Sequence, residues 1–324
     1  MQFKDPISDD TGKKRSKEAL RRVCGAELLG ALNDPKTVEV MLNPDGTLWQ
    51  ERLGEGMLPI GEIPPTRADS ILKTVAGFHS KVVTHDQPVL ECEWPLDGSR
   101  FAGQIPPVVT NPSFAIRKKA ISIFTLDEYV ASGTMTPTQQ AIIVDAVKDH
   151  RNILVIGGTG SGKTTLVNAI IHEMVQTNHN ERLLIIEDTG EIQCAAQNHI
   201  QFHTSGATNM TALLRTSLRM RPDRILVGEV RGPEALDLLM AWNTGHEGGA
   251  ATLHANNAEA GLSRLQMLIS MHPDAPHPIE PLIGEAVHLI VHIARTPEKG
   301  RRIESILEVR GYAGGAYGLH NCEE

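Results

Sequence analysis

One nine-residue run constrains this chain more than any other: Gly157-Gly158-Thr159-Gly160-Ser161-Gly162-Lys163-Thr164-Thr165. It follows the apolar stretch Ile153-Leu154-Val155-Ile156 and precedes Leu166, Val167, Ile170, Ile171, Met174 and Val175 at helical spacing. Strand, glycine loop and helix in that order are the context of a phosphate-binding loop. Glycines let successive backbone N–H groups turn inward at an anion, and the helix N-terminus adds the positive end of its dipole. On this reading Gly158, Thr159, Gly160, Ser161, Gly162, Lys163, Thr164 and Thr165 hold a nucleoside triphosphate. Lys163 reaches the β- and γ-phosphates and the Thr164 hydroxyl ligates Mg²⁺, so the expected cofactors are a nucleoside triphosphate and Mg²⁺.

The rest of the chain divides around that loop. A length of 324 residues suggests about two domains. Leu20, Val23, Cys24, Leu28 and Leu32 pattern an amphipathic helix over about residues 16–32. The basic cluster before and within it, Lys13, Lys14, Arg15, Lys17, Arg21 and Arg22, reads either as a frayed tail entering a surface helix or as a weak attachment to anionic lipid or an acidic partner. Residues 38–52 read as a hairpin turned by Asn43-Pro44-Asp45-Gly46, and Thr66-x-x-Asp69 as a capping box opening a second helix. Short strand patterns follow at 89–94, 100–105 and 113–117. These elements predict a small α+β domain over 1–120 and a linker over 121–135 that carries one short helix. Thr136-Pro137-Thr138-Gln139 then caps the first helix of a second domain, 136–324. Beyond the glycine loop, strand-like and helical runs alternate, which predicts an α/β domain with a mainly parallel sheet and helices on its faces.

Hydrolysis needs more than a cradle. Carboxylates at the ends of parallel strands meet such a loop at the carboxyl edge of the sheet. Leu184-Ile185-Ile186-Glu187 and Ile225-Leu226-Val227-Gly228-Glu229 each end on an acid. Glu229 would orient the attacking water or hold Mg²⁺ through water, with Glu187 helping from across the cleft, although an acid can also simply begin a loop. The commoner arrangement has Asp where this chain has Gly228. His246 and His254 bracket a glycine-rich turn and a short apolar strand, with no third ligand at metal-binding spacing. Arg215 and Arg219 lie one helical turn apart, and Arg231 follows Glu229. They would bridge subunits, meet the γ-phosphate or form a solvated face.

The order of these stretches resembles the secretion ATPase superfamily that includes the GspE and PilT motors. It is carried by the glycine loop, Ile186–Ile192, Pro222–Arg231 and Thr244–His254, and Asn-Thr-Gly-His-Glu-Gly-Gly with Thr-Leu-His-Ala-Asn-Asn-Ala is most similar to the type IV secretion and conjugation branch. The resemblance implies a homo-hexameric ring in the cytoplasm, peripheral at the inner membrane, working with inner-membrane components of a secretion or conjugation system. It also implies that arginines of the first domain reach the phosphates. Arg100 and Arg117 occupy the matching positions, in Asp97-Gly98-Ser99-Arg100-Phe101 and Phe114-Ala115-Ile116-Arg117.

Two rival readings share the loop. A RecA-like motor working directly on DNA meets a net charge of −8 and only 4% aromatic residues, which suit neither phosphate binding nor base stacking. Direct nucleic-acid binding is therefore not expected. A small-molecule kinase would keep the loop without needing both strand-end glutamates and the histidine pair. Cys24, Cys92, Cys194 and Cys322 are scattered and read as reduced thiols.

Overall fold

The computed structural model describes residues 6–53, 55–118, 123–296 and 300–323, with side chains from residue 12 onward. The chain falls into two compact units, Met1–Ile121 and Ser122–Glu324. Residues 119–122, where the linker is expected to begin, lie outside the described residues.

The first unit carries α1 (Pro6–Asn33), β1 (Thr37–Leu42), β2 (Thr47–Arg52), β3 (Gly56–Glu62), α2 (Pro65–Phe78), β4 (Val89–Glu93), β5 (Arg100–Gln104) and β6 (Ser113–Arg117). Its strands form one antiparallel sheet in the order β3-β2-β1-β6-β5-β4. The Asn43–Gly46 turn closes β1 onto β2, with Gly46 at φ 92° and Asp45 Oδ1 accepting the Thr47 amide at 2.8 Å. Val40, Leu48, Phe101 and Ile116 point to one face and pack with Leu20, Leu28, Ile71 and Leu72 of the two helices. That alternation is what a half-buried antiparallel sheet requires. α1 bends at Gly25, where φ is 70°. The carbonyls of Val23 and Cys24 before the bend accept Arg67 Nε and Nη2, both at 2.7 Å. The expected Thr66 cap does not form. α2 begins at Pro65, whose fixed φ suits a first helical position, and has no side-chain cap.

The second unit begins earlier than the helix expected at residue 136. α3 (Leu126–Ala131) is capped by Thr125, and Leu126, Tyr129 and Met135 are buried in this unit's core. α4 (Pro137–Lys148) starts with a full capping box between Thr136 and Gln139. There follow β7 (Ile153–Ile156), α5 (Lys163–Thr177), β8 (Leu183–Glu187), β9 (His199–His203), α6 (Met210–Ser217), β10 (Arg224–Val227), α7 (Glu234–Trp242), β11 (Ala250–Leu253), α8 (Ala258–Ser270), α9 (Glu280–Ala286), β12 (Leu289–Thr296), β13 (Gly300–Ala313) and β14 (Ala316–Asn321). The sheet order is β14-β13-β12-β7-β11-β10-β8-β9. From β12 through β9 every pair is parallel, and β13 and β14 add an antiparallel edge. Two apolar cores cover the two faces, which is why β7, β8, β10 and β11 are buried along their whole length.

Candidate active site

Register decides which chemistry meets the glycine loop. Leu253 of β11 lies opposite Ile156 of β7, and Val227 of β10 lies opposite both Ala251 and Ile186. The carboxyl ends of β7, β11, β10 and β8 therefore open on one edge, and the loop between β7 and α5 sits there. Gly160 and Gly162 take φ of 70° and 100°, which favour residues without a Cβ. Gly157 is required by closeness instead: a Cβ there would stand 2.2 Å from the Ile293 carbonyl oxygen and 2.6 Å from Ser161 Oγ. Arg301 Nε donates to the Gly160 carbonyl at 3.3 Å, bracing the loop from β13.

Lys163 folds under the loop. Its Nζ donates to the carbonyls of Gly157 at 3.1 Å and Gly158 at 3.0 Å, and lies 3.3 Å from His254 Nδ1. Burial pulls the ammonium below the ordinary lysine range, with Glu229 and Glu191 opposing the shift. The other nitrogen of His254, Nε2, is 2.7 Å from Glu229 Oε1. A neutral imidazole with its proton on Nε2 accepts from Lys163 at Nδ1, while Nε2 stands beside Glu229 Oε1 without hydrogen-bond geometry and leaves that oxygen buried with no hydrogen-bond partner among the described residues. Burial, and then the Lys163 charge, hold His254 below the usual imidazole range, which favours that neutral form. Glu229 Oε2 accepts Arg231 Nε at 2.8 Å and also meets Arg231 Nη2. Arg231 Nη1 reaches Asp188 Oδ2 at 3.3 Å.

Glu187 is at the strand end where it was expected, but its carboxylate faces its own loop. It is 3% exposed. Oε2 accepts the amides of Glu191 at 2.8 Å and Ile192 at 3.0 Å, and Oε1 accepts Gln201 Nε2 at 2.5 Å. The turn it ties down carries Glu191, whose Oε2 lies 3.5 Å from the Thr164 hydroxyl. Glu191 is thus an acid beside the loop that the strand-end criterion passed over, and Arg301 is a second residue of the site that it missed. Gly228 has a steric reason: a Cβ there would come within 2.9 Å of Glu187 Cβ.

His246 does not join His254. It precedes β11, whose four residues span about 13 Å at the rise of a strand. It therefore lies toward the amino edge, where Asn152 Oδ1 accepts the amides of Gly248 and Gly249 and Ile153 N donates to the Gly249 carbonyl. Its Nδ1 is buried without a hydrogen-bond partner. In the first unit, register sets Arg100 of β5 directly opposite Arg117 of β6, and Arg117 Nη2 lies 3.3 Å from Glu39 Oε2. Of the other arginines, Arg215 Nε pairs with Asp237 Oδ1 at 2.8 Å.

Oxygen donors suit Mg²⁺, a hard cation. The Thr164 hydroxyl and the Glu191 carboxylate fit that requirement side by side, whereas Glu229 Oε2 is taken up by Arg231.

A parallel sheet whose carboxyl edge carries a glycine loop, a buried lysine and converging acids defines a P-loop ATPase with a RecA-like domain. The chain belongs to the type II/IV secretion system protein family, whose model matches residues 83–323. Within that family it falls in the type IV secretion and conjugation branch. It is 48% identical over 302 residues to the probable conjugal transfer protein TrbB of Sinorhizobium fredii, covering 93% of this chain and 92% of that one. It is 46% identical over 293 residues to the conjugal transfer protein TrbB of Rhizobium radiobacter, covering 90% of each. Among solved structures, the ATPase DotB of Legionella pneumophila superposes with a TM-score of 0.62 at 18% identity, over 87% of this chain and 79% of that chain, a likeness of fold alone. No helix among the described residues is long and apolar enough to cross a membrane.

Proposed function

We propose that the protein hydrolyses ATP with Mg²⁺ as a homo-hexameric ring and so powers pilus assembly or substrate transfer in a type IV secretion or conjugation system. The observation that carries this reading is the contact series Lys163–His254–Glu229 beside the glycine loop, a hydrogen bond at its first link and a 2.7 Å approach at its second. It links the group that would meet the terminal phosphates to the carboxylate that would orient the water.

In this account the loop amides from Gly158 to Thr165 and the Lys163 ammonium hold the triphosphate, and catalysis is positioning plus electrostatics. Mg²⁺ would be held by Thr164 and Glu191, with Glu229 outside its direct ligands, and when bound it neutralises charge on the phosphates. Glu229 orients the attacking water and accepts its proton. Glu187 acts through Glu191 by fixing the turn that presents it. Arg100 and Arg117 are assigned as phosphate-directed arginines of the first domain because they occupy the matching motif positions, and a guanidinium suits a phosphate. The 48% identity to a conjugal transfer protein supports a place beside inner-membrane components of such a system, with the protein cytoplasmic and peripheral to the membrane.

The ring is tested by sedimentation of the full-length protein with and without a non-hydrolysable ATP analogue. Six copies per particle, favoured by nucleotide, is the expected result; a monomer at every concentration in both conditions would refute it.

A further inference from the structure

We propose that Arg231 is a positioning residue for hydrolysis: it holds the Glu229 carboxylate in one orientation and is itself held at both ends. The proposal rests on the reading of Glu229 as the water-orienting carboxylate.

A glutamate side chain beginning a loop has three rotatable torsions, and an orienting carboxylate must occupy one arrangement of them. Arg231 Nε and Nη2 both meet Glu229 Oε2, which leaves Oε1 turned to His254. One guanidinium does this while its third nitrogen, Nη1, bonds Asp188 across the cleft. Asp188 is in turn oriented by Thr204 Oγ1, which donates to its Oδ1 at 2.9 Å. The backbone of Arg231 is fixed separately. Glu234, nearly buried on the first turn of α7, accepts the amides of Arg231 at 2.7 Å and Gly232 at 2.8 Å. Gly232 is what lets that carboxylate approach, because a Cβ there would come within 2.8 Å of Glu234 Oε2.

Two other roles for Arg231 fit this geometry less well. Its side chain is 49% exposed, and exposed ion pairs add little to stability. Three fixed acids around one half-exposed arginine are more than such a return explains. A direct phosphate ligand would need its nitrogens turned to the loop, whereas all three point at carboxylates. The arrangement also requires arginine, since a lysine presents a single nitrogen and cannot hold Glu229 and Asp188 together with the same fork.

The test is steady-state ATP hydrolysis and equilibrium binding of a fluorescent ADP by the full-length protein, with thermal unfolding alongside. The variants are R231A, R231K, D188N, E229Q and the double R231A/E229Q. R231A should lower kcat about 10- to 100-fold, as loss of a positioned catalytic group does. KM and ADP affinity should stay within about twofold, and R231K should recover part of the loss. D188N, which leaves Arg231 in place, should show the same pattern in smaller measure and answers the question if R231A does not fold. The double variant should be no slower than E229Q alone, because both changes act through one carboxylate. Weaker ADP binding with unchanged kcat, additive losses in the double variant, or no change in R231A and D188N would each overturn the proposal. If E229Q itself turns over at the wild-type rate, the reading of Glu229 fails and takes the proposal with it. A slow E229Q beside a wild-type R231A refutes the role of Arg231 alone.

Discussion

Lys163 is joined to Glu229 through one imidazole ring: His254 Nδ1 lies 3.3 Å from the lysine nitrogen and His254 Nε2 lies 2.7 Å from the glutamate oxygen. The group under the glycine loop and the acid beyond β10 thus share one neighbour, hydrogen-bonded to Lys163 and in close contact with Glu229.

The relay has a pH signature. Burial first, then Lys163, hold His254 below the ordinary imidazole range in the folded protein. A group with a depressed folded pKa takes its proton more readily in the unfolded chain, so acid favours unfolding. The stability contributed by neutral His254 is therefore full above about pH 6.5, the unfolded value, and is lost as pH falls from there through the folded value. His288 and His292 are shifted the same way by burial, so the wild-type slope is a sum. Denaturant unfolding between neutral and mildly acidic pH should give a shallower slope for His254→Asn than for the wild type. An identical slope would mean that His254 does not titrate as the relay requires.

Glu187 and Glu191 should separate by phenotype. Glu187→Ala removes a buried carboxylate from two backbone amides and is expected to cost about 3 kcal/mol, the scale of orphaning buried donors. Glu191→Ala should change stability by less than about 0.5 kcal/mol, as a substitution outside the core does, yet abolish most turnover. Urea unfolding and phosphate release on the same preparations distinguish them, and a reversal of the two patterns would overturn the assignment.

Two neighbouring glycines give a steric test. Gly157→Ala places a methyl group against the Ile293 carbonyl and Ser161 Oγ, whereas a Cβ at Gly158 meets nothing within 4 Å. Gly157→Ala should therefore displace the loop and lower the melting temperature, and Gly158→Ala should leave it near wild type. Equal melting temperatures would show that the loop tolerates the contact.

Much of this was legible in residue order. The glycine loop carries its signature locally, and fully buried parallel strands such as β7 and β8 read as unbroken apolar runs. Edge strands were harder. β9, His-Ile-Gln-Phe-His, and β14 have one side without a strand partner and alternate polar residues, while β3 contains Gly56, Pro59 and Gly61. Glu191 was passed over because its place depends on Glu187 reversing the chain, a tertiary event with no periodic trace. Its signal was an acid just past the turn Asp188-Thr189-Gly190. His246 and His254 looked like a pair because they bracket one glycine-rich turn and one short strand, but that strand carries them toward opposite edges of the sheet.

The most direct test of the central claim is phosphate release from ATP and Mg²⁺ by full-length Lys163→Ala beside the wild type, with melting temperature confirming the fold. Lys163 donates to the loop and His254 and to nothing in the distant core, so the variant should fold and fall to the no-enzyme background. Hydrolysis at an undiminished rate by the folded variant would contradict the assignment of the catalytic site.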